Sequence, residues 1–324
     1  MPRSKQNLQK SIESFTGKIL CGTALNILKK FPDESIDCVV TSPPYWTLRD
    51  YGMKGQIGLE SNIEEYLDKL MAVFTEIYRT LKPPGTVWVN FGDTYANKTK
   101  VRHRNKPQNN IYDSPTGRAN FQKLKTEINT PAKSLCLIPA RFAIRMIEQG
   151  WILRNEIIWH KPNAMPQSAR DRFSVDFEKV FFFVKATKYY FRQQFEPLKN
   201  PERLKRRLLD PNGNHKQSES YWFSVRPEIS EKRRQKMLAL GRNKRAVWSI
   251  GTTNFPGNHF AVYPERLVET PILAGCPAAG IVLDPFLGSG TTAVVAKKLK
   301  REFIGIEVNP EYIKLAENRL KNIN

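Results

Sequence analysis

The chain has 324 residues, of which 40% are hydrophobic, and its 52 Lys and Arg against 31 Asp and Glu give a formal net charge of +21. This excess indicates a polyanionic partner, either nucleic acid or an anionic membrane surface, unless it belongs to a ribosome-like protein or a basic thermophile surface. No run approaches the roughly 20 apolar residues of a membrane-spanning helix, and the first residues do not resemble a signal peptide. We therefore expect no membrane association.

The four cysteines and four histidines are dispersed along the sequence, without a CxxC pair. This dispersal predicts neither a disulfide framework nor a zinc site, so we expect a reduced, cytoplasmic protein without metal. The cysteines are Cys21, Cys38, Cys136 and Cys276.

The first part of the chain alternates short apolar runs with helical patterns. Strands are predicted at KIL, IDCVV and TVWVNFGD, and helices at ALNILKKF and NIEEYLDKLMAVFTEIYRTL. In the longer helix the apolar residues fall on one face, and the following KPPG should stop it. Alternation of this kind predicts a parallel sheet with crossover helices.

From Thr94 to about Thr130 the sequence is polar, basic and rich in turn residues. Connections of this length are usually functional or disordered. A helix is then predicted over LCLIPARFAIRMIEQGW, ending at Gly150, and strands over WILRNEIIWHKP and VFFFVKATKYYF.

A second basic region spans residues 199–245, with fourteen Lys and Arg against five Asp and Glu. After it, the sequence predicts a strand over GIVLDP, a glycine turn with its helix over FLGSGTTAVVAKKLK, and a further strand over EFIGIEVN. The last helix is predicted over NPEYIKLAENRLKNI.

The turn in LDPFLGSGTT joins an apolar strand to an amphipathic helix. Glycines there allow a ligand to approach the backbone, but the FxGxG spacing is not GxGxxG, and no lysine follows as in a P-loop. Glu307 ends the next strand, where an acid can accept hydrogen bonds from both ribose hydroxyls of a nucleoside. Together the turn and the acid predict a nucleoside cofactor.

The stretch TSPPYW, residues 41–46, ends an apolar strand with two prolines that cannot continue it. TSPPYW and DPFLGSGTT together resemble the amino-methyltransferases of DNA, which use S-adenosylmethionine. The catalytic motif precedes the cofactor motif, as in the permuted beta group, and LKPPGTVWVNFGD, GWILRNEIIWHKPNAMP and HFAVYPERL match family motifs in order. The resemblance implies a Rossmann-like α/β methyltransferase fold: a mostly parallel twisted sheet with helices on both faces and basic insertions.

The resemblance also implies roles for the TSPPYW residues. The Ser42 hydroxyl and the Pro43 carbonyl would accept hydrogen bonds from the target amine, and Pro43 and Pro44 would hold the turn rigid. Tyr45 would stack on a base flipped out of the duplex, which recovers roughly 1–3 kcal/mol of the flipping cost. Two roles are open for Trp46: a contact with the flipped base, or packing in the hydrophobic core.

On the cofactor side, the resemblance places Phe286 against the adenine, Gly288 and Gly290 near the methionine part, and Glu307 at the ribose. Where the family often has an aspartate that reaches the adenine amine, this chain has Thr23, whose hydroxyl carries no charge. The cofactor-binding residues predicted in this way are Thr23, His259, Asp284, Phe286, Gly288, Gly290 and Glu307.

The two basic regions flank the catalytic sheet and predict the lining of a cleft for double-stranded DNA. The predicted division is a catalytic half at 1–195 with a basic loop at about 94–130, a target-recognition insertion at 196–248, and a cofactor-binding half at 249–324. A cognate restriction endonuclease acting separately is compatible with this prediction, as are a monomer and a homodimer. The predicted DNA-binding residues are Arg102, Arg104, Lys161, Arg206, Arg207, Arg233 and Arg234.

Family members with serine at the position of Ser42 mostly methylate cytosine N4, whereas those with aspartate methylate adenine N6 or, in some cases, cytosine N4. Cytosine C5 chemistry needs a cysteine nucleophile in a proline–cysteine motif, and Cys276-Pro277 has the opposite order. We therefore predict a site-specific DNA (cytosine-N4) methyltransferase of a restriction–modification system. The alternatives are an N6-adenine enzyme, an RNA methyltransferase and a non-catalytic nucleic-acid-binding protein on the same fold.

Overall fold

The computed structural model describes residues 12–48, 52–53, 55–96, 130–202, 205, 235–252 and 263–323. The chain divides into two compact units, one formed by residues 1–191 and 246–324 and the other by residues 192–245. Among the described residues, no helix combines the length and apolar character that crossing a membrane requires.

The first unit contains an eight-stranded sheet. Its strands are β1 (Lys18–Cys21), β2 (Ile36–Thr41), β3 (Leu81–Phe91), β4 (Ile152–His160), β5 (Phe177–Val184), β8 (Val247–Ser249), β9 (Ile281–Asp284) and β10 (Glu302–Glu307). Their order in the sheet is β1-β10-β9-β2-β3-β5-β4-β8. All neighbouring pairs are parallel except those that β5 makes with β3 and β4, so β5 alone runs against the other seven strands.

Six helices accompany the sheet in the described part of this unit, and the longest, α2 (Ile63–Thr80), shows how a helix begins and ends here. The Asn62 side chain accepts a hydrogen bond from the Glu65 amide at 2.8 Å and caps the first turn. The helix ends at Thr80, before a proline pair that cannot continue it. The helices are α1 (Ala24–Leu28), α2 (Ile63–Thr80), α3 (Ile138–Glu148), α4 (Glu265–Gly275), α5 (Thr291–Lys298) and α6 (Pro310–Lys321).

Two hydrophobic clusters cover the two faces of the sheet, because successive strand residues point to opposite sides. Val39 and Phe181 join the cluster with α2 and α3. Val40 and Phe182 join the cluster with α4 and α5. A slip of one residue would exchange the faces, and since each fully buried Val or Phe contributes about 1.5–3 kcal/mol, the register is strongly determined. The predicted fold, a mostly parallel sheet with helices on both faces, is confirmed.

Several predicted boundaries differ from the structure. The helix predicted over ALNILKKF ends at Leu28, and the one predicted over LCLIPARFAIRMIEQGW spans Ile138–Glu148. Residues of the KPPG segment begin β3, with a register shift against β2 between Ile36 and Cys38. The strand predicted over VFFFVKATKYYF starts earlier, at Phe177, and ends at Val184, where a run of bends follows. Residues 247–248, predicted to end the insertion, belong to β8, which pairs with β4 at the edge of the sheet.

The second unit contains a two-stranded antiparallel sheet of β6 (Phe195–Glu196) and β7 (Arg242–Asn243). The Glu196 carboxylate accepts hydrogen bonds from the Nε atoms of Arg242 and Arg245, both at 2.7 Å. Part of the predicted target-recognition insertion lies in this unit, and its recognition role stays a prediction.

Candidate active site

The two sequence motifs meet where the order of the sheet reverses. Strands β2 and β9 are neighbours, but the chain continues from β9 to β10 on one side and from β2 to β3 on the other. The carboxyl ends of two such strands border a crevice, which is the usual ligand site of open α/β sheets. Thr41, at the end of β2, donates a hydrogen bond of 2.6 Å from Oγ1 to Oδ1 of Asp284, at the end of β9.

A cavity of about 940 Å³ lies at this edge and is lined by residues from both motifs. Its volume is that of a site for a cofactor-sized ligand. From the predicted cofactor side the cavity is lined by Thr23, Phe286, Gly288 and Glu307. From the predicted target side it is lined by Ser42, Pro43, Pro44, Tyr45 and Lys161. Residues predicted from separate parts of the sequence are thus brought together.

Glu307 accepts hydrogen bonds from two backbone amides, one of them in the glycine turn. Its Oε2 accepts from the Gly288 amide and its Oε1 from the Asn309 amide, each at 2.8 Å. Burial raises the pKa of Glu307, although the backbone donors oppose this shift. Each carboxylate oxygen has a further lone pair, so the group can still accept hydrogen bonds from a ligand in the cavity.

Asp284 lies behind the cavity wall and is only 1% exposed. It accepts hydrogen bonds from Thr41, from Thr292 Oγ1 at 2.6 Å, from the Tyr263 hydroxyl at 3.0 Å and from the Phe286 amide at 3.1 Å. Burial raises the pKa of Asp284, while its hydrogen-bond donors lower it. This side chain connects the two motifs and does not line the cavity.

Gly290 has a packing reason to be glycine. It precedes α5 with φ of 86°, and a Cβ there would lie 2.6 Å from the Cβ of Ala316 in α6. The cavity lining includes Gly288 and not Gly290. Of the two glycines predicted near the methionine part, one therefore faces the cavity and the other allows two helices to pack closely.

The backbone and aromatic residues of TSPPYW are held by neighbouring elements. The Pro44 carbonyl accepts a hydrogen bond of 2.7 Å from the Tyr66 hydroxyl of α2. The Tyr45 ring is nearly parallel to Phe91, with centroids 6.2 Å apart. Trp46 is 2% exposed and donates from Nε1 to the Glu60 carbonyl at 3.0 Å, so of its two predicted places it occupies the core.

The Tyr45 hydroxyl belongs to a polar network that sequence analysis missed. It donates to Oε2 of Glu178 at 2.7 Å, and Nδ2 of Asn90 donates to both of these oxygens, also at 2.7 Å. Lys161 donates to the other oxygen of Glu178, and its Nζ lies 4.4 Å from the centroid of the Trp159 ring. Burial and the nearby Glu178 charge raise the pKa of Tyr45 well above its usual value. The sequence does carry a signal that could have revealed this network. Asn90 and Glu178 are polar residues within apolar strands, VWVNF and FEKVFFFV.

Several predicted residues lie outside the described part of the chain, namely His259, Arg102, Arg104, Arg206, Arg207, Arg233 and Arg234. Lys161, predicted to contact DNA, lies in the cavity wall. The four cysteines are unpaired, and the described residues hold no group of three or more side chains suited to a metal ion.

A family model described as DNA methylase, N6_N4_Mtase, matches residues 36–318. The chain is 39% identical over 303 residues to the Type II methyltransferase M.SmaI of Serratia marcescens, with 94% of this chain and 90% of that protein covered. The structure of the PvuII DNA methyltransferase (cytosine-N4-specific) is similar, with a TM-score of 0.59 and 22% identity over 95% of this chain and 88% of that chain. The structure of the M1.HpyAVI–SAM complex is also similar, with a TM-score of 0.52 and 20% identity, and the match covers 94% of this chain and 98% of that chain.

The chain therefore belongs to the N6/N4 DNA methylase family. It is a DNA methyltransferase with the methyltransferase fold, and S-adenosylmethionine is its methyl donor. The predictions of family, fold and cofactor made from TSPPYW and DPFLGSGTT are confirmed.

Proposed function

We propose that the protein transfers a methyl group to the exocyclic N4 amine of a cytosine flipped out of duplex DNA, at a specific site, as the methyltransferase of a restriction–modification system. The observation that carries this proposal is that Ser42 and Tyr45 share one cavity with Gly288 and Glu307. Support for cytosine comes from the serine of the motif and from the similarity to PvuII, whose name states cytosine N4. Support for restriction–modification comes from the similarity to a Type II methyltransferase.

At the cofactor end, the residues present fit a nucleoside with a cationic amino-acid tail. We assign Glu307 to the ribose hydroxyls, since its carboxylate reaches the cavity and retains free lone pairs. Phe286, half-buried beside it, offers a surface for the adenine, and Gly288 lets the tail approach the backbone. Asp284 and Gly290 act indirectly, by holding the turn and its helix in place.

At the target end, the difficulty is that the amine lone pair is delocalised into the base. The Ser42 hydroxyl and the Pro43 carbonyl accept hydrogen bonds from the two amine hydrogens, which favours a pyramidal nitrogen and frees its lone pair. When bound, S-adenosylmethionine would supply a methyl group on a cationic sulfur; the new nitrogen–carbon bond would replace the carbon–sulfur bond, with the sulfur leaving as a neutral thioether and one amine proton released to solvent. Pro43 and Pro44 keep the acceptors in place, which matters because small displacements at a reacting atom are costly in rate.

Tyr45 provides the surface for the flipped base. Its ring is supported by Phe91 on one side, and its hydroxyl is held by Glu178 and Asn90. Gly92 is close beside the ring, because a Cβ there would lie 2.6 Å from the Cε2 atom of Tyr45. A ring fixed in this way loses little further freedom when a base stacks on it, so more of the roughly 1–3 kcal/mol of stacking is available to offset flipping.

The net charge of +21 supports double-stranded DNA as the partner, since phosphate contacts dominate the affinity of DNA-binding proteins. We assign the phosphate contacts to the two basic regions and the reading of the target sequence to residues 196–248. The same proposal includes a cytoplasmic location for the protein and a restriction endonuclease that acts separately. It also has the protein act as a monomer or a homodimer.

Methylation-sensitive single-molecule sequencing of DNA from a host that expresses the protein tests this proposal. We expect N4-methylcytosine at one recurring sequence. N6-methyladenine in its place would overturn the cytosine assignment and leave the amine chemistry standing. If the purified protein binds DNA and labelled S-adenosylmethionine but transfers no label, the enzymatic role is wrong and the non-catalytic alternative applies.

A further inference from the structure

A lysine and a glutamate form an ion pair in the wall at the target end of the cavity. The Lys161 ammonium donates to Oε1 of Glu178, and both residues line the cavity. Only 19% of the lysine side chain and 18% of the glutamate side chain are exposed. Lys161 follows the last residue of β4 and Glu178 lies at the start of β5, so the antiparallel pairing of these strands brings both residues to one edge of the sheet. A positive charge is thereby held beside the place where we expect the flipped base.

This ammonium lies near the hydroxyl end of the Tyr45 ring. The Tyr45 hydroxyl donates to Oε2 of Glu178 at 2.7 Å, while Lys161 donates to the other oxygen of the same carboxylate. Two groups bound to the two oxygens of one carboxylate cannot be far apart. Phe91 lies against one face of the Tyr45 ring, and the ring also lines the cavity. A base stacked on the cavity side of Tyr45 therefore has one edge beside Lys161.

The ammonium of Lys161 retains a hydrogen for a ligand. An ammonium has three N–H donors and no acceptor. One hydrogen is directed at Glu178, and the Trp159 ring, with its centroid 4.4 Å from Nζ, can attract a second. The third can point into the cavity, where its partner must be a hydrogen-bond acceptor.

The charge of the ion pair determines which kind of acceptor fits. Lys161 and Glu178 together carry no net charge. A phosphate bound here would lie beside the carboxylate as well as beside the ammonium, so that repulsion from one would oppose attraction to the other. A neutral acceptor, such as a carbonyl oxygen or a ring nitrogen of a base, gains the hydrogen bond to a charged donor without this opposing term.

We propose that Lys161 determines specificity by donating a hydrogen bond to the edge of the flipped cytosine that carries N3 and O2. The inference rests on the proposed function, because it takes the amine to be held at Ser42 and the ring to be stacked on Tyr45. Those two contacts leave either the N3–O2 edge or the C5–C6 edge towards the ammonium, and only the first offers acceptors. Adenine has a ring nitrogen beside its amine but a C–H in the place of O2, so the carbonyl distinguishes cytosine.

Small changes on both sides of this contact test it. Lys161→Met keeps the length of the side chain and removes its donors, and it should lower kcat/KM for a duplex with the target site about tenfold, as expected for losing a hydrogen bond to a charged group. At the target position, 3-deazacytosine lacks the N3 acceptor and 2-thiocytosine has a weaker acceptor in place of O2. With at least one of these analogues, the loss caused by Lys161→Met should shrink to about twofold, because the contact is already weakened.

A control variant and the salt dependence separate this role from others. Lys179→Met is the matched control, since Lys179 forms an ion pair with Glu156 across the same two strands but does not line the cavity. It should keep wild-type kcat/KM on cytosine and on both analogues. The slope of duplex affinity against salt concentration, on logarithmic scales, should be the same in Lys161→Met as in wild type. Loss of a phosphate contact would instead reduce that slope by about one.

Wild-type kcat/KM in Lys161→Met overturns the proposal, and so does a salt slope reduced by about one. Equal losses in this variant on cytosine and on both analogues also overturn it. If Lys161→Met does not fold, the wild-type protein decides, because undiminished affinity for duplexes with either analogue would show that neither acceptor is bound. Failure of the proposed function looks different, since the wild-type protein itself would then place no methyl group on cytosine N4.

Discussion

At the cofactor end of the cavity the carboxylate that lines the wall is held by backbone groups, whereas at the target end the tyrosine that lines the wall is held by side chains. Glu307 is held by the amides of Gly288 and Asn309. Tyr45 is held by the side chains of Asn90 and Glu178. A cofactor of constant structure suits a site of fixed backbone donors, whereas the target end must direct hydrogen-bond acceptors towards one amine. The difference teaches that the first end depends on turn geometry and the second on hydrogen-bond direction.

The largest expected effect is at the target end. Ser42→Ala should lower kcat by about 100-fold or more, as is typical when a polar group that stabilises the transition state is removed. Affinity for S-adenosylmethionine, measured by calorimetry, should be unchanged. Ser249→Ala on the edge strand β8 is the control and should behave as wild type. Equal turnover in Ser42→Ala would remove this serine from the mechanism.

At the cofactor end, Gly290→Ala should act on stability. Its Cβ would lie 2.6 Å from Ala316 at a φ of 86°, so overpacking and strain combine to lower the free energy of unfolding by about 2–3 kcal/mol. Gly17→Ala is the matched control, since its φ is 73° but nothing lies within 4 Å of its Cβ. That change should cost about 1 kcal/mol of strain. If urea unfolding showed that Gly290→Ala and Gly17→Ala lose equal free energy of unfolding, the packing role of Gly290 would be contradicted.

The two ends should also differ in their response to pH. Burial raises the pKa of Glu307 above its ordinary 4.5, so this group takes up a proton earlier than an exposed glutamate as the pH falls. A protonated acid is a weaker acceptor, and affinity for S-adenosylmethionine should therefore decline as the pH falls through this raised pKa. Glu307→Gln should bind about tenfold more weakly at neutral pH and lose this dependence. If the affinity of Glu307→Gln for S-adenosylmethionine still depended on pH in this way, another group would be responsible.

The raised pKa of Glu307 has a consequence for folding as well. The unfolded chain ionises this group at lower pH than the folded chain does, so burying the charge costs stability above the folded pKa. That cost disappears as the pH falls through the folded and then the unfolded value. Relative to wild type, Glu307→Gln should therefore lose less free energy of unfolding at high pH than at low pH. Urea unfolding of both proteins across the pH range measures this difference.

The smallest effect is expected where TSPPYW enters the core. Trp46→Phe removes the hydrogen bond to the Glu60 carbonyl and some buried volume, and it should lower the free energy of unfolding by about 1–2 kcal/mol. The signal of a fluorescent base analogue at the target position should not change. A lost signal would show that this tryptophan also contacts the flipped base.

Much of the fold could be predicted because its signals are local. The apolar spacing of α2 and its proline stop were readable, and the helix ends at Thr80, next to the predicted stop. Two motifs distant in the chain predicted one site, and Thr41 and Asp284, 243 positions apart, are hydrogen-bonded. The reversed direction of β5 was not readable, because an apolar strand buried on both faces looks the same in either direction.

The sequence by itself determined the alternation of strands and helices, the turn chemistry of TSPPYW and DPFLGSGTT, and with these the family and the cofactor. Only the tertiary structure decided that Glu178 contacts Tyr45, 133 positions away, that Asp284 faces inward and that Gly290 serves packing against Ala316. The reason is physical: periodicity and turns depend on neighbours in the chain, whereas these contacts depend on strand order, direction and register.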